Sequence, residues 1–144
     1  MYNAAMAMFD PRPGRAMSLA PGKKRVSSMA PSILFKDGKP ALVIGAPGGS
    51  NIPMGILQVI LNVVDFGMPI VEAVDAPRMA ATGNVIDLSH RIPQRVCDAL
   101  RADGYETLRS AHSYVVARPH AIRIEGDRLT GAADPAAGGM ALAV

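Results

Sequence analysis

The stretch Ser32 to Gly67, SILFKDGKPALVIGAPGGSNIPMGILQVILNVVDFG, decides how this chain folds. Two apolar runs, Ser32–Phe35 and Pro40–Ile44, flank Lys36-Asp-Gly-Lys39. Asp-Gly between two such runs is the signature of a β-hairpin. Gly45-Ala-Pro-Gly-Gly-Ser-Asn51 follows, with too many strand- and helix-breaking residues to continue either element. From Ile52 onward apolar residues recur at 56, 57, 60, 61, 63 and 64, a spacing that predicts a helix to about Phe66, stopped by Gly67. A strand, a glycine bend and a helix therefore succeed one another with no spacer.

Downstream, Pro69 opens a shorter helix through Ala76, which Pro77 ends, and Pro93 opens a third over about 93–103. Val96, Cys97 and Leu100 share a face of that third helix, and Gly104 stops it. Tyr114–Ala117, Ala121–Ile124 and Leu129–Ala132 read as short strands, the last two joined by a turn at Glu125-Gly-Asp127. Upstream, Met1–Phe9 is apolar, and Asp10-Pro-Arg-Pro-Gly14 breaks any regular element. That opening reads as the end of an element with a partner further upstream, so exposed apolar surface is expected along Met1–Phe9. The order of elements gives an α+β fold, sheet packed on helices, with residues 1–144 forming a single domain.

Composition narrows the function classes. With 49% hydrophobic and 19% charged residues the chain is globular rather than disordered. Its net charge is +3, but the basic residues are scattered, and no aromatic residue interleaves with the one cluster, Lys23-Lys24-Arg25. No nucleic-acid partner is expected. No run approaches the roughly 18 apolar residues of a membrane span, so no membrane partner is expected either. Met1–Met8 lacks the basic flank and cleavage pattern of a signal peptide, and the sequence assigns no compartment. The single cysteine, Cys97, excludes an internal disulfide and reads as a small core residue. His90, His112 and His120 show no metal-ligand spacing, and neither a metal nor a cofactor is expected. Asp75 and Arg78, three apart at a helix end, read as a local ion pair.

Two small constellations point to chemistry. Ser27-Ser28 lies just ahead of the first strand, and Gly48-Gly49 just ahead of the first helix. Adjacent hydroxyls can both donate to one anion, a carboxylate above all. Paired glycines let a backbone approach a ligand with no Cβ in the way. Free N–H groups at the start of a helix form a nest suited to a developing oxyanion. Each pair alone also fits ordinary turn and cap chemistry. The segment has no Walker Gly-Lys-Ser/Thr ending, and Ser50 has no Gly-x-Ser-x-Gly elbow around it.

Taken together, Ala20-Pro-Gly-Lys23, Ser27-Ser-Met-Ala-Pro31, Phe35-Lys-Asp-Gly-Lys-Pro40 and Gly45-Ala-Pro-Gly-Gly-Ser50 resemble the gamma-glutamyltranspeptidase family in order and spacing. So do Leu57-Gln-Val-Ile-Leu-Asn-Val-Val-Asp-Phe66, Glu72-Ala-Val-Asp-Ala-Pro-Arg78 and Gly131-Ala-Ala-Asp-Pro135. The resemblance covers nearly the whole chain. It implies part of a four-layer αββα sandwich, the N-terminal-nucleophile hydrolase fold, here the C-terminal portion of a small subunit. It further implies gamma-glutamyltransferase or glutathione hydrolase chemistry on γ-glutamyl or related acyl amides. In that scheme Ser27 and Ser28 bind the donor's α-carboxylate, and the amides of Gly48 and Gly49 form the oxyanion hole. The partners implied are the large subunit and the upstream part of the same precursor.

Three departures from the family pattern stand out. The nucleophile is expected in a Thr-Thr-His-like run upstream, and none of the three threonines, Thr82, Thr107 and Thr130, lies in one. Tyr2-Asn3-Ala4 resembles the family's Leu-Asn-Asn, a resemblance that places Ala5 and Met8 where a Gln and an Asp hold the donor's α-amine. The family's Asp-Pro-Arg is Asp134-Pro-Ala136, which removes the partner of an ion pair or hydrogen bond. The alternative reading is a catalytically inactive fragment, or a docking module of the same fold.

Overall fold

The computed structural model describes residues 5–81, 83–112 and 116–142. The hairpin forms as the Asp-Gly signal requires: β1 (Ser32–Lys36) pairs antiparallel with β2 (Lys39–Gly45), in a register running from Ser32↔Ile44 to Lys36↔Lys39. Asp37 and Gly38 have φ of 51° and 74°, the pair of positive angles that a type I′ turn demands. α1 (Ile52–Val64) and α2 (Ile70–Asp75) follow, and after them the chain builds a small second sheet from β3 (Met79–Ala80), β4 (Val85–Leu88) and β5 (Glu106–Arg109). α3 (Gln94–Ala102) is the crossover between the parallel neighbours β4 and β5. β6 (His120–Glu125) and β7 (Arg128–Ala133) then return to the first sheet, whose order is β1-β2-β6-β7.

Alternation along the strands builds the core. Leu42 and Ile44 of β2, Ala121 of β6 and Ala132 of β7 point to the face covered by the helices. Against them pack Ile52, Ile56, Val59 and Val63 of α1 and Ile70, Ala73 and Val74 of α2. Sheet and helices thus supply one β layer and one α layer of a sandwich. The second sheet is tied to α1 by Gln58, whose side chain donates to the Met79 carbonyl at 2.8 Å and accepts from the Met79 N–H at 2.9 Å. The amide of Gln58 acts there as a one-residue extension of the sheet edge.

Several expectations need correction. Pro69 and Pro93 cap α2 and α3 instead of lying inside their first turns; both have ψ near 140°, and the helical angles begin one residue later. The expected strand at Tyr114–Ala117 does not form: Val116 and Ala117 are buried in an irregular segment, and Tyr114 and Val115 lie outside the described residues. Helix α1 is apolar on both sides. Val59 is fully buried, whereas Leu57, Leu61 and Val64 are exposed, and Phe66 beyond the helix is 74% exposed. Of the opening segment, Ala5–Met8 forms a 3-10 turn and Met6 is exposed. No described helix is long and apolar enough to cross a membrane.

Candidate functional site

The sheet register brings the two predicted constellations to one end of the fold. Ser32↔Ile44 is the last pair of the β1–β2 ladder, and Gly45↔His120 and His120↔Ala133 carry that end across the sheet. The segment bearing Ser27 and Ser28 therefore enters the sheet where the segment bearing Gly48 and Gly49 leaves it. Residues 117–119 enter β6 there too, and Asp134 leaves β7 beside them.

The glycine bend is shaped by its own hydrogen bonds. Gly48 has φ 154° and ψ 13°, and Gly49 has φ 59°. The Gly48 carbonyl accepts from Asn51 N–H at 3.2 Å, and the Gly49 carbonyl from Ile52 N–H, so both carbonyls turn into the 3-10 turn Gly49–Asn51 that leads into α1. The N–H groups of Gly48 and Gly49 have no acceptor among the described residues, and both glycines are exposed. Two acceptor-free amides at exposed glycines, in the turn that leads into α1, are donors open to a ligand. Behind the bend lies residue 117. A Cβ on Gly48 would sit 2.6 Å from both Cα and Cβ of Ala117, closer than any side chain tolerates. Only glycine fits at 48.

Ser27 is exposed and Ser28 half-buried. The Ser27 Oγ accepts from Met29 N–H at 3.2 Å, a serine turn that leaves its proton free to donate outward. No hydrogen bond joins this serine pair to the glycine pair among the described residues, so what they share is the end of the sheet. Thr107 and Thr130 lie inside β5 and β7, and Thr82 lies outside the described residues.

The expected Asp75–Arg78 ion pair does not form. Pro77 turns the chain out of α2, so Arg78 leaves the helix face on which an i,i+3 partner would meet it. Arg91 instead pairs with Asp75 at 2.7 Å, on the surface. Arg78 runs inward and forms a buried ion pair with Asp134, 56 residues away in sequence; they are 4% and 0% exposed. The Arg78 guanidinium also donates to the carbonyls of Val74 and Ala76, the latter at 3.1 Å. Burial pulls this guanidinium below the ordinary arginine value, and the Asp134 carboxylate opposes that pull. The other Asp134 oxygen accepts from Ala136 N–H at 2.9 Å. At the Ala136 position, Arg118 of the neighbouring segment reaches the backbone carbonyl at 3.3 Å. Sequence reasoning had both halves of the pair in view, as the ends of two separate motifs; only the fold joins them.

Cys97 is fully buried under α3, as its place on that helix face predicts. His90 and His112 are exposed, and the His90 N–H donates to the His112 carbonyl at 3.3 Å. His120 occupies the register position between Gly45 and Ala133.

Comparison with solved structures places the chain in a class first. It matches the gamma-glutamyltranspeptidase from Pseudomonas nitroreducens complexed with L-DON at a TM-score of 0.86 and 34% identity, over 99% of this chain and 80% of that one. The fold is therefore the α+β fold of the gamma-glutamyltranspeptidase structures, a branch of the N-terminal-nucleophile hydrolases. The sequence model of the gamma-glutamyltranspeptidase family matches residues 1–144. The chain is 43% identical, over its whole length, to the acylase ACY 1 proenzyme of Pseudomonas sp. strain SE83, and 35% identical to the glutathione hydrolase proenzyme of Pseudomonas aeruginosa. It spans 25% and 28% of those two proteins. This chain belongs to the gamma-glutamyltranspeptidase family, whose members act as hydrolases and acyltransferases.

Proposed function

We propose that this chain supplies the anion-binding half of an amide-cleaving site, completed by the rest of a longer precursor. The observation that carries the reading is the pair of N–H groups at the exposed Gly48 and Gly49, without an acceptor among the described residues, on the same end of the sheet as Ser27 and Ser28. An N-terminal threonine from another segment of the precursor attacks a carboxylate-bearing amide. The Gly48 and Gly49 amides stabilise the tetrahedral oxyanion, and the Ser27 and Ser28 hydroxyls hold the substrate carboxylate. Collapse of that intermediate expels the amine and leaves an acyl-enzyme. Water then releases the acid, or a second amine takes the acyl group.

The partner reading has physical support in the side of the main sheet away from the helices, where segment 139–141 reaches only His120 and Gly131 among the described residues. Ile33, Val43 and Ile122 lie in one cross-strand row on the face away from α1 and α2, with Leu129 beside them, and all four are exposed. An apolar sheet face of this kind is stable in water only when another layer covers it. In an αββα sandwich that layer is a second sheet.

Substrate class follows from Ala5 and Met8. Ala5 carries no acceptor and the Met8 thioether only a weak one, so nothing at these two positions selects a donor carrying an α-amine. The relation to a proenzyme named as an acylase favours the same reading. The full-length precursor is therefore expected to hydrolyse a glutaryl anilide, which lacks the α-amine, at least as fast as the γ-glutamyl anilide. Release of the chromogenic aniline checks this. Absence of turnover on both substrates would overturn the proposed activity, and a strong preference for the γ-glutamyl compound would overturn the substrate class.

A further inference from the structure

We infer that the buried Arg78–Asp134 pair and Ala117 are positioning residues for the Gly48–Gly49 amides, acting through the strap formed by residues 117–119. The inference rests on the oxyanion reading of the two glycines. No hydrogen bond joins the ion pair to the bend directly among the described residues. The pair fixes Asp134, whose N–H donates to the Pro119 carbonyl at 3.0 Å. One residue earlier, Arg118 N–H donates to the Pro47 carbonyl at 3.0 Å, directly ahead of the glycines. Ala117 then sits against the bend itself. Its Cβ is 2.6 Å from where a Cβ of Gly48 would stand, and 2.7 Å from where one of Gly55 would stand.

The strap is thus hydrogen-bonded at Arg118 and Pro119 and wedged at Ala117. Its methyl group occupies the space between the glycine bend and the first turns of α1, which leaves Gly48 one position relative to the helix. Val116, Ala117 and Pro119 are all buried, and Arg118 alone of this stretch reaches solvent, so Ala117 has no open space toward which to relax. Ser27 and Ser28 have no hydrogen bond to the strap, the ion pair or the bend among the described residues. Disturbing the strap therefore changes the oxyanion donors and leaves carboxylate binding alone. That separation makes the inference testable by a split between kcat and KM, because a group felt only in the transition state lowers kcat without raising KM.

The test uses the full-length precursor with Asp134→Asn, which weakens the anchor without changing its shape, and Ala117→Val, which presses on Gly48 and Gly55. Thermal melting establishes that each variant is folded. The expected result is a kcat lower by about tenfold or more with KM within about twofold, part of the effect of losing one oxyanion donor. If a variant does not accumulate as folded protein, Arg78→Lys, which keeps a buried cation opposite Asp134, decides by the same criterion. Folded variants with unchanged kcat, alongside an inactive Gly49→Pro, would overturn the strap's role and leave the oxyanion reading standing. A Gly49→Pro variant that turns over normally would remove the oxyanion reading, and the strap inference with it.

Discussion

Arg78→Ala is expected to destabilise the folded protein by about 3–5 kcal/mol, the usual cost of removing one partner of a buried ion pair. Three consequences add up at this site. The Asp134 carboxylate, with no exposed surface, keeps its backbone donor from Ala136 but loses its countercharge. The Val74 and Ala76 carbonyls at the end of α2 lose their donor. The volume of a buried guanidinium is left empty between α2 and the turn after β7. Small domains have total stabilities of only about 5–15 kcal/mol, so this single change consumes a large part of the margin. Desolvation weighs against the native pair, so a shape-filling apolar replacement at both positions, Arg78→Met with Asp134→Leu, should cost less than the single truncation. Urea midpoints of the two variants decide the matter; a single variant as stable as the parent would contradict the buried geometry.

Gly49→Pro is expected to lower turnover by about 10²–10³, the effect of deleting one oxyanion donor. Proline removes the N–H, and its φ near −65° cannot occupy the +59° of this bend, so both routes to the donor close together. Gly49→Ala separates them. It keeps the N–H, no atom lies within 4 Å of the added Cβ, and its cost is confined to backbone strain of order 1 kcal/mol. Turnover should therefore fall little in the alanine variant and steeply in the proline variant. Gly48 offers no such control, because any Cβ there meets Ala117. Steady-state kinetics on the two Gly49 variants check the contrast; equal losses would mean that the bend matters for its shape and not for its amide.

Local chemistry explains which parts of the fold were legible in the sequence. The hairpin, α1 and the β6–β7 pair have strong turn signals and dense apolar patterns, and they form where those signals place them. The second sheet went unread because its strands are short and mixed: Met79-Ala80, Val85-Ile-Asp-Leu88 and Glu106-Thr-Leu-Arg109 carry neither clean alternation nor a hairpin turn. Their pairing rests on the α3 crossover between β4 and β5 and on Gln58, which is remote in sequence from the Met79 it holds. The apolar spacing of α1 overcounted its core face, since Leu57, Leu61 and Val64 satisfy helical spacing equally well on the opposite side. The Arg78–Asp134 pair was hidden for a different reason. A three-residue separation favours Asp75, and nothing local reveals that Pro77 sends the arginine inward to a carboxylate beyond β7.

The site was legible as two pairs of residues and illegible as an arrangement. Ser27-Ser28 and Gly48-Gly49 each have an ordinary local explanation, and their shared end of the sheet appears only once Ser32 is paired with Ile44. The strap behind the glycines had no sequence signal at all, because Ala117 matters for the methyl group it adds and the larger ones it lacks.

Kinetics of the Ser27→Ala, Ser28→Ala double variant in the full-length precursor, on a glutaryl anilide and on its methyl ester, probe the division of labour most directly. Two hydroxyls that grip a carboxylate are missed only by a substrate that has one. KM for the free acid should rise about tenfold or more, as expected for hydrogen bonds to a charged group, with the ester unaffected. An equal loss on both substrates, or none on either, would contradict a carboxylate site at this end of the sheet.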